Sequence, residues 1–257
     1  MNIAVLKLSG KALNEIFTND KWIDTIVNLK NSYDGLIIVH GAGQNISEWS
    51  AALGLEARFI DGQRVTTEQI MDVVAAVQSG VLNSKIVSRL LTNGIDSVGV
   101  SGIDRGTFIA ENLNLDLGHV GIPVVSGSVD WIIDLMNNNV IPVFSSVCRS
   151  KTGSLMNVNA DLFTEVLAAA VSAETVFFVS DVNGVKLSGI YQLYVNEYQI
   201  NEGINSKEIT DGMIPKLTSC VKLLNKGIKK VWIGKNIQMN YEDDFQTKGG
   251  TWIVKSA

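Results

Sequence analysis

The chain has 257 residues, 46% of them hydrophobic, and a formal charge of -5. That is enough apolar material for a full core and argues against disorder, while an acidic surface with scattered Lys and Arg suits neither nucleic acid nor an anionic membrane. No apolar run approaches the 18 or more residues of a membrane span, and Met1 leads straight into "IAVLKL" without a basic leader, so the expectation is a cytoplasmic protein. Cys148 and Cys220 stand apart with no CxxC, which reads as two reduced core thiols rather than a disulfide or a zinc site.

In chain order, "IAVL" is an apolar strand, and "NDKWIDTIVNLKN" is a helix that starts behind Asn19 and buries Trp22, Ile23, Ile26 and Val27. "GLIIVH" is a second strand; it runs into "HGAGQNI", a tight turn that enters a helix. "TTEQIMDVVAAVQ" places Thr66 and Gln69 in capping-box spacing and puts Ile70, Val73, Val74 and Val77 on one face. "SVGV" and "VIPVF" are further strands, and the Gly-rich residues 111–128 between them read as hairpins or a lid. "TVFFVS", "KKVWIG" and "TWIV" complete the strands, with a helix from Pro215 to Gly227 before the last two. Strands of continuous apolar character alternating with helices predict a three-layer α/β/α sandwich around a mostly parallel sheet. No repeat and no linker divides the chain, so one domain is expected.

His40 and His119 are the only histidines, which leaves almost nothing from which to build a hydrolase triad; GxxxxGK[ST], HRD and DFG are absent. "HGAGQNI" lacks the third glycine of GxGxxG, and is either a plain strand-to-helix turn or a place where backbone N–H groups meet an anion. Lys7 interrupts a strand of the buried type and needs an anion or an escape to water. Lys216 opens a helix behind Pro215, where a cation opposes the dipole by roughly 0.3–1 kcal/mol unless an anion sits beside it. In "SLMNVNADLF" Asn157, Asn159 and Asp161 alternate, so an extended segment would point them to one side. Asp161 is equally explained as a helix N-cap, and Arg64 as a solvated loop arginine.

"KLSG", "HGAG", "RVT", "NVNAD", "SDVNG" and "GMIPK" occur in the order and spacing of the amino acid kinase family, and from end to end the chain resembles that family's acetylglutamate kinases. "NVNAD" with "GMIPK" is the specific part. The resemblance implies ATP- and Mg²⁺-dependent phosphorylation of the side-chain carboxylate of N-acetyl-L-glutamate. Lys7 and Lys216 would stabilise the phosphoryl group in flight and Asp161 would hold the two lysines. Ala42 and Gly43 would present N–H groups to the reacting oxygens, and Arg64 and Asn157 would bind the amino acid. Gly10, Ser180, Asp181, Val182, Asn183, Gly184, Val185, Lys186, Ile209 and Thr210 would contact the nucleotide, whose phosphates rather than a protein cage would carry Mg²⁺. An N-terminal lobe of about residues 1–160 would take the amino acid and the dimer interface, and a C-terminal lobe of about 161–257 the nucleotide.

Elementary chemistry agrees. A carboxylate nucleophile is already ionised at neutral pH, so no general base is required, and the work is positioning plus charge neutralisation. Two positions depart from the family pattern: Ala42 replaces a glycine of HGGG, and Ser9 a glycine of KxGG. Substrates such as N-succinylglutamate, a carrier-linked aminoadipate or UMP, and a non-catalytic sensor on the same fold, stand as alternatives. Arginine-inhibited relatives carry an N-terminal helix ahead of the first strand; a chain that starts with that strand is expected to be a homodimer insensitive to arginine.

Overall fold

The computed structural model describes residues 1–210, 212–235, 237 and 249–256, which form two compact units: Met1–Leu36 with Ala168–Ala257, and Ile37–Leu167. The first unit opens with strand β1 (Ile3–Leu8), buried along its whole length, then helices α1 (Gly10–Glu15) and α2 (Lys21–Ser32). Trp22, Ile23, Ile26 and Leu29 form the buried face of α2. Val27, expected there, is only half-buried, because the 3.6-residue period carries the stripe on to Leu29.

The inserted unit opens within β2 (Gly35–His40) and continues with α3 (Gly43–Ala52), the short pair β3 (Phe59–Ile60) and β4 (Gln63–Arg64), and one long helix. That helix is α-helical at Glu68–Val74 (α4), π-helical at Ala75–Leu82 and α-helical again at Asn83–Thr92 (α5). Its cap is Thr67, whose hydroxyl accepts the Ile70 N–H at 3.3 Å, one residue beyond the expected Thr66. Contrary to the sequence expectation, this 25-residue helix is long and apolar enough to cross a membrane; half of its most apolar stretch is buried inside the protein, and Ile70, Val74, Val77, Ile86 and Leu90 lie in the core.

Next come β5 (Ser97–Ser101), β6 (Phe108–Asn112), β7 (Val120–Val125), α6 (Asp130–Asn137), β8 (Ile141–Ser145), β9 (Cys148–Arg149), β10 (Leu155–Val158) and α7 (Ala160–Ala170). Strands β2, β8 and β5 pair in parallel, and a second sheet runs β6-β7-β10-β9. Residues 111–128 thus resolve into the β6–β7 hairpin, with Phe108 opposite Val125 and Asn112 opposite Gly121. Phe108, Phe144 and Phe163 stack in the core of this unit.

The chain then returns to the first unit with β11 (Thr175–Val179), β12 (Lys186–Leu187), β13 (Ile190–Tyr191), β14 (Tyr194–Asn196), α8 (Glu197–Asn205), α9 (Ile214–Asn225), β15 (Lys230–Gly234) and β16 (Thr251–Val254). Helix α8 opens with a reciprocal capping box between Asn196 and Gln199. The sheet order in this unit is β14-β16-β15-β11-β1, parallel except for the β15–β16 pair. Phe177 meets the edges of Trp252 and Tyr33 at the centre of this core. Both cysteines are buried and free, and burial pushes the Cys148 thiol up to about 12.

Candidate active site

In the inserted unit, β2 delivers the chain to a turn at Gly41–Gly43. His40, the last strand residue, has no exposure, and desolvation lowers its pKa to about 4, so the ring is neutral. Ala42 has φ -153°, on the side of the map open to any residue, so its methyl group carries no backbone strain. Gly41 lies against the start of α7, where a Cβ would meet that of Ala160 at 3.8 Å, while a Cβ on Gly43 would meet nothing within 4 Å. No side chain caps α3 at Ala42, which leaves the first N–H groups of that helix for an anion.

Arg64 on β4 is only 8% exposed. Its Nη2 donates to the Gly43 carbonyl at 3.0 Å and to Ser47 Oγ at 2.7 Å, and its guanidinium lies 4.8 Å from the centre of the Phe59 ring. Desolvation lowers its pKa, but a guanidinium remains charged in a protein. Nη1 is buried without a hydrogen-bond partner. A buried donor left unmatched costs about 1–3 kcal/mol, which an incoming carboxylate would remove. Arg64 is thus buried and hydrogen-bonded, not the solvated loop arginine that the sequence also allowed.

Thr66 links Arg64 to the next element. Its hydroxyl donates to the Arg64 carbonyl at 2.9 Å and accepts from Asn157 Nδ2 at 3.0 Å. The main chain repeats the connection: His119 N–H donates to the Thr66 carbonyl and Asn157 N–H to that of His119, both at 2.8 Å. Gly118 permits this crossing, since at φ 70° its Cβ would lie 2.5 Å from the Thr66 carbonyl oxygen. Thr66, which the sequence alone reads as a helix cap, instead bridges Arg64 and Asn157, and the second threonine of "RVTT" caps the helix.

Asn157 is half-buried in β10, but the alternation expected through Asp161 ends at Val158, where the helix takes over. Asn159 Oδ1 accepts the Asp161 N–H at 2.8 Å and the Leu162 N–H at 3.4 Å, so Asn159 caps α7 and Asp161 lies in its first turn. Capping therefore does not account for Asp161.

The other unit holds the lysines. Lys7 lies in β1 opposite Phe178 with 7% exposure. Lys216 lies in the first turn of α9, next to Pro215, and its Nζ donates to Ser180 Oγ at 2.7 Å. Ser9 keeps an extended backbone at φ -131° and its hydroxyl donates to the Val179 carbonyl at 2.5 Å, so no glycine is required there; Gly10 begins α1.

The segment Ser180–Lys186 is held at both ends. Ser180 N–H donates to the Gly234 carbonyl at 2.8 Å, and Gly250 N–H donates to that of Asn183 at 3.2 Å. Gly184 has φ 117°, and a Cβ would lie 2.6 Å from Thr251 Oγ1, which accepts the Val185 N–H at 2.7 Å. Asp181, Asn183 and Lys186 are exposed, Val182 is half-buried and Val185 buried. Ile209 is buried against Gly203 together with Leu187, and the exposed Thr210 accepts the Met213 N–H through its carbonyl. Thr251 is a second residue that the sequence did not single out, since it reads only as part of a strand. Among the described residues no group of three His, Cys, Asp or Glu side chains is placed to hold a metal ion.

The pattern of the amino acid kinase family matches residues 2–235. An acetylglutamate kinase of Staphylococcus saprophyticus is 33% identical over 257 residues, covering 99% of this chain and all of that protein. One of Dehalococcoides mccartyi is 37% identical over 230 residues, 86% of this chain and 82% of its own. Among solved structures, smu.665 from Streptococcus mutans superposes with a TM-score of 0.84 at 26% identity, covering 99% of both chains. With strands, turn and charge set in the family's order and a match over nearly its whole length, this chain belongs to the amino acid kinase family.

Proposed function

We propose that the chain transfers the γ-phosphoryl group of ATP to the side-chain carboxylate of N-acetyl-L-glutamate, forming N-acetyl-L-glutamyl 5-phosphate and ADP in the cytoplasmic synthesis of arginine. The observation that carries this reading is the half-satisfied Arg64 guanidinium beside the glycine turn, in a chain 33% identical over 257 residues to an acetylglutamate kinase. Arg64 takes a carboxylate of the substrate and Asn157, bound to Thr66, a neighbouring polar group. The acceptor carboxylate needs no proton removed; its oxygen forms the new bond to phosphorus as the bond to the β-phosphate oxygen breaks.

N–H groups of Ala42 and Gly43, at the start of α3, stabilise charge on the reacting oxygens. Lys7 and Lys216 neutralise the transferred group, and Asp161 is the acidic member of this set. Ser180–Lys186 with Gly10, Ile209 and Thr210 take the nucleotide. Mg²⁺ arrives on the ATP phosphates and reduces their charge. The inserted unit thus carries the amino-acid residues and the other unit the nucleotide residues, and the active form is a homodimer.

With ATP, Mg²⁺ and N-acetyl-L-glutamate, hydroxylamine should trap the acyl phosphate as a hydroxamate. Arg64→Ala should raise the KM for the amino acid about 10- to 100-fold, the worth of a charge-assisted pair, and leave the KM for ATP near its original value. No hydroxamate with N-acetyl-, N-succinyl- or other acylated glutamates from folded protein refutes the reading; reaction with UMP alone replaces it. Analytical ultracentrifugation decides the dimer.

A further inference from the structure

The π-helical stretch Ala75–Leu82 and the buried polar side chains around it have no part in the reaction as described. Gln78 and Asn83 are five residues apart, and at about 100° per residue an unbroken α-helix would turn them some 140° from each other. A turn closed by i→i+5 bonds instead brings the fifth residue back over the first, and such turns recur at functional sites. Here both side chains are buried. Asn83 Nδ2 donates to the Val143 carbonyl at 2.8 Å, which fixes its amide, and lies 3.1 Å from His40 Nε2. That nitrogen must therefore accept, leaving the ring proton on Nδ1 to donate to the Gly41 carbonyl at 3.1 Å.

Gln78 Nε2 donates to the His40 carbonyl at 3.0 Å and to Ser146 Oγ at 2.9 Å, and the Ser146 hydroxyl in turn donates to the Val158 carbonyl at 2.6 Å. Ser79 and Ser145 join their hydroxyls at 2.7 Å beside it. One amide is thus bonded to the residue that enters the glycine turn and, through one hydroxyl, to the residue between Asn157 and Asn159. We propose that Gln78 is a positioning residue, holding the Gly41–Gly43 turn and the Asn157 strand in register with each other through Ser146. The inference rests on the reading that these two segments take the amino acid, and it gives the π stretch a purpose: it turns Gln78 inward without turning Asn83 out.

The test is hydrogen exchange read by mass spectrometry on the full, unliganded chain. Gln78→Met keeps the length of the side chain and removes its donors. Peptides over 41–44 and 157–162 should then exchange about tenfold faster, the first because the His40 carbonyl has lost its bond from Gln78 and the second because Ser146 has lost the Gln78 bond that holds it on Val158, while peptides of the other unit keep their rates. Ser146→Ala cuts one branch only, so 157–162 should accelerate and 41–44 should not. In steady state Gln78→Met should raise the KM for N-acetyl-L-glutamate about tenfold with kcat and the KM for ATP within twofold. Unchanged exchange at the two segments in folded Gln78→Met overturns the proposal. So does a uniform rise across all peptides and both KM values, the mark of general loosening. If Gln78→Met does not fold, the Ser146→Ala pattern decides alone: unaltered protection at 157–162 refutes the link. Wild-type inactivity toward acylated glutamates would refute the substrate reading, whereas the exchange pattern judges Gln78 without reference to catalysis.

Discussion

Lowering the pH from 7.5 to 5.0 should cost this protein about 2 kcal/mol of stability at a single residue, His40. Its imidazole has no exposure, lies among the Asn83 amide and the Gly41 carbonyl, and has a pKa lowered from 6.5 to about 4 by desolvation. A native pKa below the unfolded one stabilises the fold above pH 6.5 and loses that contribution as the pH falls toward about 4. At pH 5.0 the unfolded chain has taken up nearly a whole proton here and the native chain about a tenth of one, which gives the figure. Urea unfolding of the wild type and of His40→Asn at pH 7.5, 6.5, 5.5 and 5.0 isolates it, because every other ionisable group is common to the two proteins. The variant should start less stable, having lost the ring's bonds, and then lose about 2 kcal/mol less over the range. With two histidines in the chain, ring NMR signals read the site directly. Parallel stability lines, or a His40 ring that titrates near 6.5, would refute the argument.

Lys7→Ala and Lys216→Met each remove transition-state stabilisation of roughly 3–4 kcal/mol, so kcat should drop about 10²- to 10³-fold with circular dichroism unchanged; near wild-type turnover in both would remove the lysines from the mechanism. Ala42→Gly should leave the KM for N-acetyl-L-glutamate within twofold and lower stability by a few tenths of a kcal/mol through unfolded-state entropy, since φ at Ala42 is already negative; a change of preferred acyl substrate would contradict this. Gly184→Ala forces φ 117° on a residue with a Cβ, 2.6 Å from Thr251 Oγ1, and should cost about 1–3 kcal/mol in urea unfolding with a raised KM for ATP.

The seven strands were readable because strands buried on both faces are continuous apolar runs, and "GLIIVH" or "TVFFVS" has no competing reading. The hairpin at 108–125 was not, because its Gly-rich sequence has neither period and its pairing depends on contacts far from local propensity. At the candidate site, sequence spacing separates the turn, Arg64 and Asn157 by up to 116 residues, from Gly41 to Asn157, and only the fold joins them through Thr66. Adjacent threonines made the cap ambiguous by one position, and that one position is the difference between Thr67 at a helix end and Thr66 inside the site. The π stretch leaves no trace in the pattern, since Ile70, Val73, Val74 and Val77 keep the ordinary helical stripe across its start. Asp161 shows the same limit from the other side: its neighbour Asn159 caps equally well, and sequence alone cannot divide the two roles.

The discontinuous unit has a consequence for how the chain is made. Strand β1 is synthesised well before β11, one of its two neighbours in the sheet, which is in register with it from Ala4 opposite Thr175 and follows 171 residues later. At about 5–20 residues per second, "IAVLKL" waits some ten to thirty seconds for that pairing while the inserted unit is completed. A short apolar β-prone segment without charge is a hazard over such an interval, and a single lysine in its midst is the kind of interruption that discourages self-association. By this argument a neutral residue at Lys7 should lower the soluble yield of the expressed chain, measured as the soluble fraction against wild type.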